Sequence, residues 1–72
     1  MKIGPRVVYN VYEIKTGGII KPIRKTTNEE EALEVLRENK RCFIEVNLEW
    51  KNEEGLHQEK HIKMVWPDEI SS

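Results

Sequence analysis

Residues 42–50, Cys42-Phe43-Ile44-Glu45-Val46-Asn47-Leu48-Glu49-Trp50, alternate almost without a break. Cys42, Ile44, Val46, Leu48 and Trp50 fall on one parity, while Glu45, Asn47 and Glu49 share the other with Phe43. A period of two marks a strand with one face on a core and the other toward water. The polar run Lys51-Asn52-Glu53-Glu54-Gly55 is of hairpin length, so the chain should return as a second strand, Leu56 to Trp66. That strand carries its apolar weight late, at Ile62, Met64 and Trp66, and Pro67 ends it.

Upstream of the alternating stretch the period changes to that of a helix. Ala32, Leu33 and Leu36 form an i, i+1, i+4 stripe with Val35 beside it. Thr27 and Asn28 are both N-cap types, and Thr27…Glu30 or Asn28…Glu31 each place a carboxylate at the capping-box position. Glu29, Glu30 and Glu31 crowd the first turn and Arg37, Lys40 and Arg41 the other end, the charge order that a helix dipole favours. The pattern predicts a helix from Asn28 to about Asn39.

Before the helix lies a first hairpin. Arg6 to Lys15 is rich in β-branched and aromatic residues on both parities (Val7, Val8, Tyr9, Val11, Tyr12, Ile14), which suits a strand covered on both faces. Thr16-Gly17-Gly18 supplies residues that accept positive φ in a tight turn. The return strand, Ile19 to Thr26, contains Pro22, which cannot donate to a ladder, so it belongs at an edge. Lys21, Arg24 and Lys25 suit that edge, because charge there discourages pairing with another chain.

Two hairpins flanking one helix make an α+β domain of order ββαββ, a four-stranded, mainly antiparallel sheet with the helix packed on one face. The economical sheet places the first and last strands in the centre, since the second holds a proline and the third turns Glu45 and Glu49 outward. That order resembles the β-grasp arrangement of the immunoglobulin-binding domains of protein G; the resemblance is one of topology and brings no function with it. The alternative is a simple meander with the helix laid across it.

The 72 residues allow a single domain, 1–72, with short tails at 1–5 and 68–72. A chain this short buries only about 60% of its unfolded surface, which excludes a two-domain enzyme and most closed catalytic clefts. Charge is near balance, 12 basic against 13 acidic residues for a net of −1. No apolar run approaches the roughly 18 residues of a membrane span, and a soluble, cytoplasmic protein with no membrane partner is expected.

Catalytic and metal-binding constellations are sparse. Cys42 is the single cysteine and sits on the apolar parity, where a thiol behaves as a small hydrophobe. His57 and His61 form H-x-x-x-H, but four residues of strand rise about 13 Å, too far for both imidazoles to reach one ion. They are expected instead to pair across the hairpin, His57 with Glu49 and His61 with Glu45. No catalytic residues, metal ligands or cofactor are therefore expected, and the chain reads as a non-enzyme.

Surfaces carry more. Residues 1–27 have a net charge of +5 and residues 28–72 one of −6. A basic first hairpin with Tyr9 and Tyr12 has the ingredients of a nucleic-acid surface, cations for phosphates and rings for stacking, although the near-neutral total speaks against it. One helix leaves one sheet face bare, and an apolar patch on a small domain marks an interface. The expected reading is a small non-catalytic protein–protein interaction module, a homodimer or an accessory or inhibitor protein docking on a larger one. Its expected contact residues are Tyr9, Val11, Phe43 and Val65, with Trp66 at the rim. The alternative is nucleic-acid binding through the basic hairpin, with the edge at Lys21, Arg24 and Lys25 as the second candidate surface for nucleic acid or a charged partner.

Overall fold

The computed structural model describes residues 3–70. Strands β1 (Ile3–Lys15) and β2 (Ile19–Thr26) precede the helix α1 (Glu29–Glu38), and β3 (Cys42–Lys51), β4 (His57–Val65) and a short helix α2 (Pro67–Ile70) follow it. The α+β class and the ββαββ order are those read from the sequence. The expected tails differ: Ile3 to Pro5 extend β1 and Asp68 to Ile70 form a helical turn, while 1–2 and 71–72 lie outside the described residues.

The four strands form one sheet in the order β2-β1-β3-β4, with every neighbouring pair antiparallel. This is neither the grasp-like order nor a simple meander: β3 is central and β4 is an edge. The reason lies in β4, where His57, Gln58, Glu59, Lys60, His61 and Lys63 put polar groups on both parities, a composition that suits an edge open to water rather than the ground beneath α1. Glu45 and Glu49 do not force β3 outward, because both carboxylates find partners within the sheet. With β1 antiparallel to both β2 and β3, the latter two run in the same direction on either side of it. Joining them needs a crossover, and α1 supplies it above β1.

Local chemistry sets the turns and caps. Gly17 and Gly18 take φ of 85° and 80° between the paired Lys15 and Ile19, a conformation that side chains with a Cβ resist. Of the two N-cap candidates Asn28 serves: its Oδ1 accepts from Glu31 N at 3.2 Å, while its own N–H donates to Thr26 Oγ1 at 3.0 Å. The Glu31 carboxylate, released from any capping box, pairs with Arg24 at 2.9 Å. Asn39 closes the helix by donating its N–H to Val35 O, and its side chain donates to Glu13 at 3.0 Å, which pins the helix end to β1.

α1 buries Ala32 and Leu36 against Val11, Cys42, Ile44 and Val46, and Tyr9, Leu33, Val35 and Val65 pack around that cluster. The whole is a slab, 41 × 29 × 16 Å, with a radius of gyration of 13.8 Å, against about 11 Å for a compact domain of this length. The main core cluster is therefore local, set beneath α1, while Val8 and Phe43 are buried on the opposite face of the sheet.

Candidate functional site

Residues paired across antiparallel strands share a face, so the register sorts every side chain. Val11, Ile44 and Val65 stand in one row, and Tyr9, Val46 and Lys63 in another, on the side that α1 covers. On the opposite side the rows read Ile20–Ile14; Pro22–Tyr12–Phe43; Asn10–Glu45–Met64 with Lys25; Val8–Asn47–His61; and Arg6–Glu49–Glu59.

Two β-bulges compose this second face. One lies in β2, where Val11 opposes Arg24 but Tyr12 opposes Pro22, so that Ile23 is passed over. The other lies in β4, where Val46 opposes Lys63 but Asn47 opposes His61, passing over Ile62. A bulge exchanges the two parities of a strand. As a result His57, Glu59 and His61 from one half of β4 share a face with Met64 and Trp66 from the other half.

At one end this face is aromatic. The Tyr12 and Phe43 rings stack with centroids 5.4 Å apart, and Phe43 and Trp66 stack at 4.8 Å. With Pro22 opposite Tyr12 and Ile20 one row away, the apolar band reaches across the sheet. Phe43 is buried between its neighbours, whereas Ile20 and Trp66 stay 56% and 42% exposed.

The other end is polar and partly buried. Glu45 Oε1 accepts from the Tyr12 hydroxyl and from Asn47 Nδ2, each at 3.2 Å, and its Oε2 lies 3.6 Å from His61 Nδ1. Burial and the Glu45 carboxylate hold the Tyr12 phenol above its ordinary pKa. Glu49 is buried, with Lys25 Nζ 3.4 Å from Oε2 and His57 Nε2 3.9 Å from Oε1. His57 also lies 3.6 Å from Glu59, and Glu59 stands directly opposite Glu49 in the register. The Asn47 Oδ1 atom is buried and has no hydrogen-bond partner.

The expected contact residues do not make one surface. Val11 is fully buried under α1, and Tyr9 and Val65 pack against the same core. Only Phe43 and Trp66 belong to the helix-free face. The correction follows from strand order: with β1 and β3 adjacent, Val11 and Ile44 form the centre of the sheet, where the crossover helix must land. The expected pairs His57–Glu49 and His61–Glu45 are present, but as diagonals, because the loop begins one residue later and moves the register by two without changing face. Ile20 and Glu59 escaped the sequence reading, and Tyr12 entered it only as a stacking ring of the basic hairpin; Tyr12 shares Phe43's row, and Glu59 shares His57's parity.

The basic edge is largely committed within the fold. Arg24 is held by Glu31 and Lys25 by Glu49, while Lys21 stands opposite Glu13. Cys42 lies in the dry core beneath α1, where burial, and then Glu13, push its thiol up. No described helix is long and apolar enough to cross a membrane. No family model matches this chain, and neither does any curated protein or solved structure.

Proposed function

We propose that this chain is a non-catalytic protein–protein interaction module whose docking surface is the aromatic end of the helix-free face. The observation that carries the reading is the band Ile20–Pro22–Tyr12–Phe43–Trp66, which crosses the sheet with exposed apolar residues at both ends. Tryptophan and tyrosine anchors beside a polar rim are the composition of interface cores. The occupant we favour is a second copy. A sheet covered on one side by a helix lacks its other layer, and two such sheets packed face to face supply it to each other. The net charge of −1 sets no long-range barrier to that approach.

Cys42, the single thiol of the sequence, is buried and its pKa is raised, which disfavours the reactive thiolate. Nucleic-acid binding is the weaker alternative, since Arg24 and Lys25 already face carboxylates and the helix-free face carries Glu45, Glu49 and Glu59.

Light scattering at low and at high salt tests the proposal. The expected mass is that of a dimer at both salts, and Ile20→Lys is expected to give a folded monomer, with Trp66→Ala weakening the dimer at least tenfold. A monomer at every concentration overturns the choice of occupant. A dimer unaffected by either substitution overturns the choice of face.

A further inference from the structure

We infer that the polar end of the helix-free face is a binding site for one divalent cation of the zinc class, held by Glu49, His57 and Glu59. This inference is independent of the docking surface, which lies at the opposite end of the same face.

Three ligand atoms converge there. One ligand atom from each of Glu49, His57 and Glu59 lies within 4.8 Å of the other two, with His57 Nε2 3.9 Å from Glu49 Oε1 and 3.6 Å from Glu59 Oε2. Bond lengths near 2.0–2.2 Å place tetrahedral ligands about 3.4 Å apart. The imidazole contacts therefore need to close by only a few tenths of an ångström. His57 and Glu59 are more than half exposed and free to make that adjustment, while Glu49 is 4% exposed and fixed. An imidazole with two carboxylates is a donor set for zinc, nickel or copper rather than for magnesium or calcium, which prefer oxygen alone. The fourth position stays open to water.

Two further observations separate this trio from an ordinary patch of surface acids. Glu49 and Glu59 are directly opposed on paired strands, an arrangement of like charges that is destabilising unless a cation lies between them. The His57 imidazole lies within 4 Å of both carboxylates, so its Nε2 and the two carboxylates face one common point where a cation would sit. Independently, Asn47 Oδ1 is buried without a partner one step along β3 on the same face. The Asn47 Nδ2 arm is spent on Glu45, so Oδ1 is a buried acceptor whose hydrogen-bonding capacity is unused next to the trio's strand positions. Lys25 supports the site from behind: it holds Oε2 of Glu49 and leaves Oε1 for the metal. Arg6 and Lys51, opposite Glu49 and His57 in the register, temper the local negative charge, so micromolar affinity is expected.

The test is calorimetric titration of the chelator-treated full chain with zinc chloride, with magnesium chloride as the comparison. One zinc per chain is expected at micromolar affinity, and magnesium at least a hundredfold weaker. His57→Ala and Glu59→Gln, both on exposed side chains, should each weaken zinc at least tenfold. His61→Ala, on the neighbouring Glu45 pair, should leave it within twofold. No zinc uptake at millimolar metal overturns the inference, and so does a loss at His61→Ala equal to that at His57→Ala. Retained dimer mass in His57→Ala separates this outcome from the docking proposal.

Discussion

The two faces of β3 are built from one alternating stretch and end in opposite chemical states. Cys42, Ile44 and Val46 meet Ala32 and Leu36 in a dry cluster with no polar side chain in it. Phe43, Glu45, Asn47 and Glu49 look the other way, and three of these four are as well buried as the core without any helix above them. They are covered by their own neighbours across the strands: Tyr12 and Trp66 over Phe43, Lys25 and the β4 histidines over the carboxylates. Burial on one face comes from a separate layer and on the other from long side chains lying down on the sheet. The first kind fixes the fold; the second leaves exposed apolar edges and one buried oxygen without a partner.

The largest effect that can break this distinction lies on the helix side. Leu36→Ala empties the centre of the dry cluster and should cost about 2–5 kcal/mol, enough to leave a domain this small barely folded at room temperature. Phe43→Ala should cost nearly as much, about 3 kcal/mol, since the ring is stacked on both sides. Denaturant titration measures both. If Phe43→Ala costs less than about 1 kcal/mol, the aromatic end is a surface feature, and the claim that it is internally packed fails. If Leu36→Ala is mild, the core has been placed on the wrong face.

How far the sequence foretold this contrast varies with the kind of information involved. Strand and helix spans follow from local periods and turn chemistry, and these are written in adjacent residues: β2 and the caps of α1 fall where Gly18, Asn28 and Asn39 put them. Strand order is a competition between distant segments. Reading Glu45 and Glu49 as solvent-facing pushed β3 to an edge, yet their partners Tyr12, Lys25, His57 and His61 come from three other strands. The bulges at Ile23 and Ile62 are equally silent, since a strand that changes parity reads as a strand with a blurred pattern. The candidate site depends on all of these at once, so only Phe43, Trp66 and the two diagonal histidine pairs were legible.

A smaller effect should have the opposite sign on the two faces. Asn47→Leu removes a buried acceptor that has no partner, at the expense of one 3.2 Å bond to Glu45, which keeps Tyr12 and His61. Stability should rise by about 1 kcal/mol, because an unsatisfied buried group costs more than a single hydrogen bond returns. The equivalent intrusion beneath the helix, Val46→Asn, should lose about 2–3 kcal/mol. A loss with Asn47→Leu would mean that Oδ1 is satisfied in solution, by water or by a bound ion. Cys42 provides a chemical reading of the same dry cluster: its labelling by a thiol reagent should be at least about a hundredfold slower than in the denatured chain. Rapid labelling would show that α1 lifts readily from the sheet.

The subtlest contrast is in pH dependence, where each end of the scale weights the faces differently. On the helix side the Glu13 carboxyl is held below its ordinary range, first by the hydrogen bond from Asn39 and then by Lys15. A lowered carboxyl contributes stability that is complete above its unfolded pKa and is lost as pH falls through the folded one. Glu13→Gln should therefore flatten the acid limb of the stability curve, and Asn39→Ala should do the same while also loosening the helix end. In alkali the groups are Tyr9 and Cys42 beneath the helix and Tyr12 on the open face, all raised chiefly by burial. Raised groups contribute below their unfolded pKa and lose that contribution as pH rises through the folded one. Tyr12 alone among them donates to a carboxylate, so ionising it sets a phenolate against Glu45 at 3.2 Å. Tyr12→Phe should consequently remove more of the alkaline limb than Tyr9→Phe, as read by chemical denaturation across the pH range. Equal effects from the two would mean that Glu45 is engaged elsewhere in solution, and the polar end of the open face would then be less ordered than its hydrogen bonds imply.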